Sequence, residues 1–240
     1  MNLMTQDIKL KHQNIARITG VIYLGIIACG IFSEAVVRSG LINHSNGAQT
    51  YNNILEHQSL FRLGIVSDIL VLFGDIIVSI LLYYLLKPIS KILALIAASF
   101  RLIVVAISGA NIFNMLSVLL LVSGTRYLNS FSKEQLESAM LFLFKNHSYG
   151  YDVALAFFGI HCLLLGMLIM KSKLIPKMFG IAFIITAICY FLFSFGRFIF
   201  PHFANSLYPS ILLPPLVTEL SLALWLLIKG INTPNIKSIT

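Results

Sequence analysis

Charge is what this sequence most lacks. Only 11% of its 240 residues are Asp, Glu, Lys or Arg, against 58% hydrophobic, whereas soluble proteins run near about a quarter charged. An ordinary water-soluble domain is therefore excluded. Cysteine is scarce too. Cys29, Cys162 and Cys189 all lie inside apolar runs and form no CxxC pair, so buried thiols are expected rather than a disulfide framework or a zinc knuckle. There is no HExxH, no i, i+4 histidine pair, no P-loop, no nucleophile elbow and no dinucleotide fingerprint. No apolar run carries a lysine deep inside it, which excludes a retinal Schiff base. Only His161 is a deep histidine, which excludes bis-histidine haem. No cofactor is expected.

Long apolar runs are what the chain has instead. Crossing a ~30 Å hydrocarbon layer takes about 20 helical residues, and six runs meet that length, at about 17–38, 62–86, 91–122, 148–170, 174–199 and 210–229. The expected fold is all-α, a polytopic helical membrane bundle forming one integral membrane domain over 1–240. The first run resembles a signal peptide, with Arg17 before "ITGVIYLGIIACG". Apolar character continues past Cys29 through Val37, however, so an uncleaved first helix is expected. In the third loop Ser132 has Gln135 three residues on, a capping box. Leu136, Ala139, Met140, Leu143 and Phe144 follow at helical spacing. That pattern predicts an amphipathic helix on the outer surface of the bundle or in the interface. A weaker version runs from about Ala48 to His57.

The formal charge of +8 does not point to nucleic acid, because the lysines sit in short loops between apolar runs. Lys9, Lys11, Arg17, Lys87, Lys91, Lys171, Lys173, Lys177, Lys229 and Lys237 fall on one side of the predicted spans. Arg38, Arg62, Arg126, Lys133, Lys145 and Arg197 fall on the other. By the positive-inside rule both termini are expected on the cytoplasmic side of the cytoplasmic membrane.

Charged side chains in a bilayer core cost at least ~2.5–3.5 kcal/mol each on insertion scales, and so normally face protein and find partners. This chain has Glu34, Asp68, Asp75, Arg101, Asp152, Arg197, Glu219 and His161 within its spans, with the amides of Asn111 and Asn114. Depth follows from the ~1.5 Å rise per residue. Glu34, Asp152, Arg197 and Asn114 belong to the outer turn or so, Asp68 and Glu219 lie deeper, and Asp75, Arg101 and His161 lie near the midplane. An outward-opening polar pocket over an apolar floor is expected. Asp75 should pair with Arg101, while Asp68, on the same helical face, is left nearer the mouth. Glu219 follows Pro214 and Pro215 and has no basic neighbour on its own helix. Its nearest candidates are His161 and Arg197. Asp152 and His161 are ~13 Å apart on opposite faces of one helix and cannot grip one ion; His147 is ~21 Å from His161. No metal site is expected, and one could form only if His161 recruited Asp75 or Glu219.

The segments "ITGVIYLGIIACGIFSE", "FRLGIVSDILVLFGDIIVSILLYYLL", "FRLIVVAISGANIFN", "HSYGYDVALAFFGIHCLLLGMLI", "LIPKMFGI" and "ELSLALWLLIKG" resemble the bacterial membrane family called domain of unknown function 4386. The resemblance covers nearly the whole chain. It implies a six-to-seven-helix integral membrane protein and no settled activity. Its polar pattern falls on Arg62, Asp68, Asp75, Arg101, Asn111, His147, Asp152 and His161.

Three functions are compatible with the residues. The first is a bundle that binds or moves a small polar solute or ion, with Asp68, Asp75, Arg101, Asn111, Asp152, His161 and Glu219 as the pocket or relay set. The second is a membrane-embedded, metal-dependent hydrolase acting on a lipid. The third is a structural or sensory subunit. The lipid bilayer is the expected partner in each, and nucleic acid in none.

Overall fold

The computed structural model describes residues 3–232, so Lys237 lies outside the described residues. No strand occurs among them. The chain runs α1 (Leu3–Ile31), a π-helical stretch Phe32–Arg38, α2 (Ser39–Leu41), α3 (Gly47–Glu56), α4 (Gln58–Leu86), α5 (Lys91–Leu121), α6 (Lys133–Ser172), α7 (Lys177–Ile199), α8 (Pro201–Leu207) and α9 (Leu213–Ile228). Six stretches are long and apolar enough to cross a membrane: Lys9–Leu41, Gln58–Leu86, Lys91–Leu121, Lys133–Ser172, Lys177–Ile199 and Ser210–Ile228. They correspond one to one with the expected spans. The protein is all-α, polytopic and membrane-embedded. Its helices keep large apolar side chains on the outside, as on α4, where Leu63, Val66, Leu70, Phe73, Ile77 and Ile80 are all exposed at helical spacing. Lipid, unlike water, imposes no penalty on such a face.

The described chain divides into two compact units. The first takes residues up to Gly25, then Gly74–Val105 and the chain from Asp152; the second takes Ile26–Phe73 and Ala106–Tyr151.

In the second unit α3 is the short amphipathic helix expected in loop one. Asn46 caps it, its side chain accepting from the Gln49 N–H at 2.9 Å, and Thr50 and Ile54 are its buried residues. Phe61 and Phe144 meet edge-on in the core, with ring centroids 6.2 Å apart. Gly64 sits hard against Val37, where a Cβ would come within 2.8 Å of a valine methyl.

The third loop departs from expectation in one respect. The capping box forms, with Ser132 and Gln135 exchanging hydrogen bonds at 3.3 and 2.8 Å. The helix it starts does not end, however; α6 runs 40 residues without a break. The amphipathic segment is thus the first part of a spanning helix, and Met140 and Phe144 are buried in the second unit's core. No proline interrupts the stretch, and its one glycine near the expected junction, Gly150, gives room to the Asn111 amide, which a Cβ there would strike.

In the first unit α6 and α7 close tightly at Gly166 and Gly180, each of whose Cβ positions would meet the other's carbonyl. Small residues at such crossings let backbones approach where no hydrophobic force drives helices together. The α6–α7 turn places Lys173 at φ 54°.

Candidate functional site

The polar residues of the first unit converge on Arg101, which is 1% exposed. Arg101 donates to one Asp75 oxygen from Nε at 3.0 Å and from Nη2 at 2.5 Å. Its Nη1 lies 3.3 Å from His161 Nε2. The other ring nitrogen of His161, Nδ1, lies 2.8 Å from the Ala97 carbonyl. A carbonyl can only accept, so Nδ1 carries the proton and Nε2 accepts from Arg101. Both imidazole nitrogens are therefore engaged. Two rings line the guanidinium, Tyr23 at 4.9 Å and Phe158 at 5.3 Å from Cζ to centroid, contacts that stabilise a desolvated cation.

Tyr23 extends the network to Glu219. Its hydroxyl donates to one carboxylate oxygen at 3.1 Å, and the Tyr190 hydroxyl donates to the other at 2.8 Å. No ion pair among the described residues includes Glu219; its direct partners are phenols. The sequence offered His161 and Arg197 as partners for Glu219, and the structure gives it neither. His161 is taken by Arg101 and Ala97, and Arg197 by Asp152, whose carboxylate it meets at 3.1 Å. Hydropathy counts tyrosine with the apolar residues, so Tyr23 in "VIYLG" and Tyr190 in "AICYF" carried no polar signal. The one available clue was their depth, since a buried phenol normally finds a hydrogen-bond partner.

Of the other candidates, Asp152 is fully buried, and its backbone carbonyl accepts from Ser194 Oγ at 2.5 Å. Asp68 and Asn111 belong to the second unit. Arg38 grips Asp68 with Nη1 at 2.7 Å and Nη2 at 3.3 Å, and turns Nε to Glu34 at 2.7 Å. Asp68 is thus not a spare carboxylate at a pocket mouth. Asn111 donates to the His147 carbonyl at 2.8 Å and accepts from Asn114 at 2.8 Å, tying α5 to α6. Arg62 is exposed.

A cleft reaches His161 between Ser79, Leu82, Leu86, Ala94, Ala97 and Leu165. It encloses about 210 Å³ of empty space, open surroundings included, and is narrow enough to hold about a single water. Its lining lies toward Lys87 and Lys171, the side read from the sequence as an apolar floor. No group of three His, Cys, Asp or Glu side chains spaced to hold a metal occurs among the described residues.

Residues 18–230 match the family described as Domain of unknown function (DUF4386). The chain belongs to that family. All the site residues above lie inside the matched region. An uncharacterized protein of Archaeoglobus fulgidus is 27% identical over 166 residues, which is 69% of this chain and 83% of that protein. No solved structure matches. Membership assigns no chemistry, which must come from the site.

Proposed function

We propose that the protein binds and moves a small cation across the cytoplasmic membrane, with Glu219 as the loading site, and that the cation is a proton. The observation that carries this is a charge imbalance. Asp75 and Glu219 are two carboxylates, Arg101 is the one cation bonded within their network among the described residues, and His161 is neutral, because its Nδ1 donates to the Ala97 carbonyl while its Nε2 accepts from Arg101. With both acids ionised the buried set is one positive charge short. A low-dielectric interior penalises that deficit heavily. Asp75 is matched directly by Arg101, so the missing charge belongs at Glu219. The two phenols suit this task, because a hydroxyl can donate to a carboxylate or accept from a carboxylic acid.

The hydrolase reading has less support. His161, its necessary ligand, spends both nitrogens on protein partners. The structural reading draws on the Asp75–Arg101 and Asp152–Arg197 pairs, which fasten helices together whatever Glu219 does. Placement in the cytoplasmic membrane with both termini inside rests on the basic α4–α5 and α6–α7 turns.

Purified protein in liposomes containing a pH-sensitive dye separates these readings. Under an imposed potassium diffusion potential, wild type should acidify the interior, and Glu219→Gln should match empty liposomes. A Glu219→Gln protein as active as wild type, or an inert wild type, contradicts the proposal.

A further inference from the structure

The net charge of the protein is confined to one unit. Between Lys9 and Asn232 the first unit holds eleven Lys and Arg against three acids, while the second holds five of each. The three acids in that range are all committed inside the unit, Asp75 to Arg101, Asp152 to Arg197 and Glu219 to its two tyrosines. Nine cations remain. They sit in the first half of α1, in the α4–α5 and α6–α7 turns and at the end of α9, all exposed, and none enters an ion pair among the described residues.

Specific contacts gather these segments into one face. Gln13 of α1 donates to the Ile231 carbonyl at 2.6 Å and accepts the Ile231 N–H at 3.2 Å. The next residue, Asn232, donates its N–H to the Leu174 carbonyl in the α6–α7 turn at 2.8 Å. His12 lies 5.4 Å from Tyr84, ring to ring, three residues before Lys87. Folding therefore gathers nine like charges that no acid between Lys9 and Asn232 is left to offset, an arrangement that repels itself unless an outside anion is present.

We infer that this face docks the anionic phospholipids of the leaflet it meets, and that their phosphodiester headgroups are its counter-charge. The neighbouring side chains favour a lipid over a soluble polyanion. Lys91 adjoins Ile92, Lys177 adjoins Met178 and Lys229 adjoins Ile228, apolar residues 72%, 68% and 65% exposed. A cation beside an exposed apolar side chain matches an amphiphile with an anionic head and an acyl tail. A nucleic acid would find no use for the apolar half.

The protein carries its own reporter. Trp225, its single tryptophan, lies one turn before Lys229 with its ring 5.6 Å from Phe179. The full chain is reconstituted in bilayers holding equal mole fractions of brominated phosphatidylglycerol or brominated phosphatidylcholine, whose bromines quench tryptophan on contact. Phosphatidylglycerol should quench Trp225 more strongly, by at least about threefold in apparent association constant. The Lys171→Gln, Lys173→Gln, Lys177→Gln, Lys229→Gln variant should lose the preference while keeping its helical circular dichroism. In wild type alone, high salt should erase the preference through screening. Sodium phosphate and sodium chloride of equal ionic strength should act alike. Equal quenching by the two lipids, or a preference that survives both the variant and salt, overturns the inference. Selective loss in phosphate would assign the face to a free anion instead and overturn it equally.

Discussion

Arg101 turns two nitrogens on a single oxygen of Asp75, at 3.0 and 2.5 Å, and gives its third to His161. This joins α4, α5 and α6 at one guanidinium. Asp75→Asn removes the charge that Arg101 faces directly. In soluble proteins breaking a buried pair this way costs about 3–5 kcal/mol. Here the loss should fall below that range, because Tyr23 touches both Arg101 and Glu219, so the second carboxylate of the network is near enough to offset the cation. Adding Arg101→Gln should recover part of the stability, read from thermal unfolding in detergent. A double variant no more stable than Asp75→Asn would mean that the pair does not fasten these helices.

His161 should behave as a packing histidine. Its two ring nitrogens serve Ala97 and Arg101, leaving none to bind a metal without breaking a contact. Zinc that bound the folded state would raise the unfolding temperature by mass action. We expect no such shift in wild type, and His161→Gln, which keeps one hydrogen bond and leaves one buried partner unsatisfied, should lose about 1–3 kcal/mol. A saturable zinc stabilisation abolished by both His161→Gln and Glu219→Gln would move the assignment to the embedded hydrolase. His147→Gln serves as the control, since His147 belongs to a different set of contacts around Asn111.

The helix count and the lysine side predict the topology together. Reporter fusions after Lys87 and after Lys173 should report cytoplasm, and fusions at Asn46 and Ser130 the opposite side. A cytoplasmic signal at Ser130 would overturn the helix count or the orientation.

Sequence reasoning reached most of the architecture because spans depend on length and hydropathy, which are local. The Ser132–Gln135 box and the Asn46-capped α3 were legible for the same reason. The Asp75–Arg101 contact was legible from depth alone, as the one arginine near the midplane facing the one acid there. Depth says nothing about which helices are neighbours, and that is where expectation failed. The sequence points Glu219 toward His161 and Arg197, whereas its partners are Tyr23 and Tyr190. Asp68 looks spare in the sequence because Arg38 counts there only as a topology signal, whereas the two are bonded. The π-helical stretch Phe32–Arg38 changes the angular placement of Arg38 relative to a plain α-helix, an offset no periodicity count contains. Hydropathy suggests a loop boundary within Lys133–Ser172 that the backbone does not need.

The most direct test of the central claim is infrared difference spectroscopy on reconstituted protein as the pH is stepped, following the carboxyl C=O band of protonated acids. The charge imbalance around Arg101 predicts one such band that responds to pH in wild type, vanishes in Glu219→Gln and shifts in frequency in Tyr190→Phe, which deletes the hydroxyl 2.8 Å from the carboxylate. A wild-type spectrum without a pH-dependent carboxyl band, or one whose band persists unchanged in Glu219→Gln, would contradict the assignment of Glu219 as the proton-loading site.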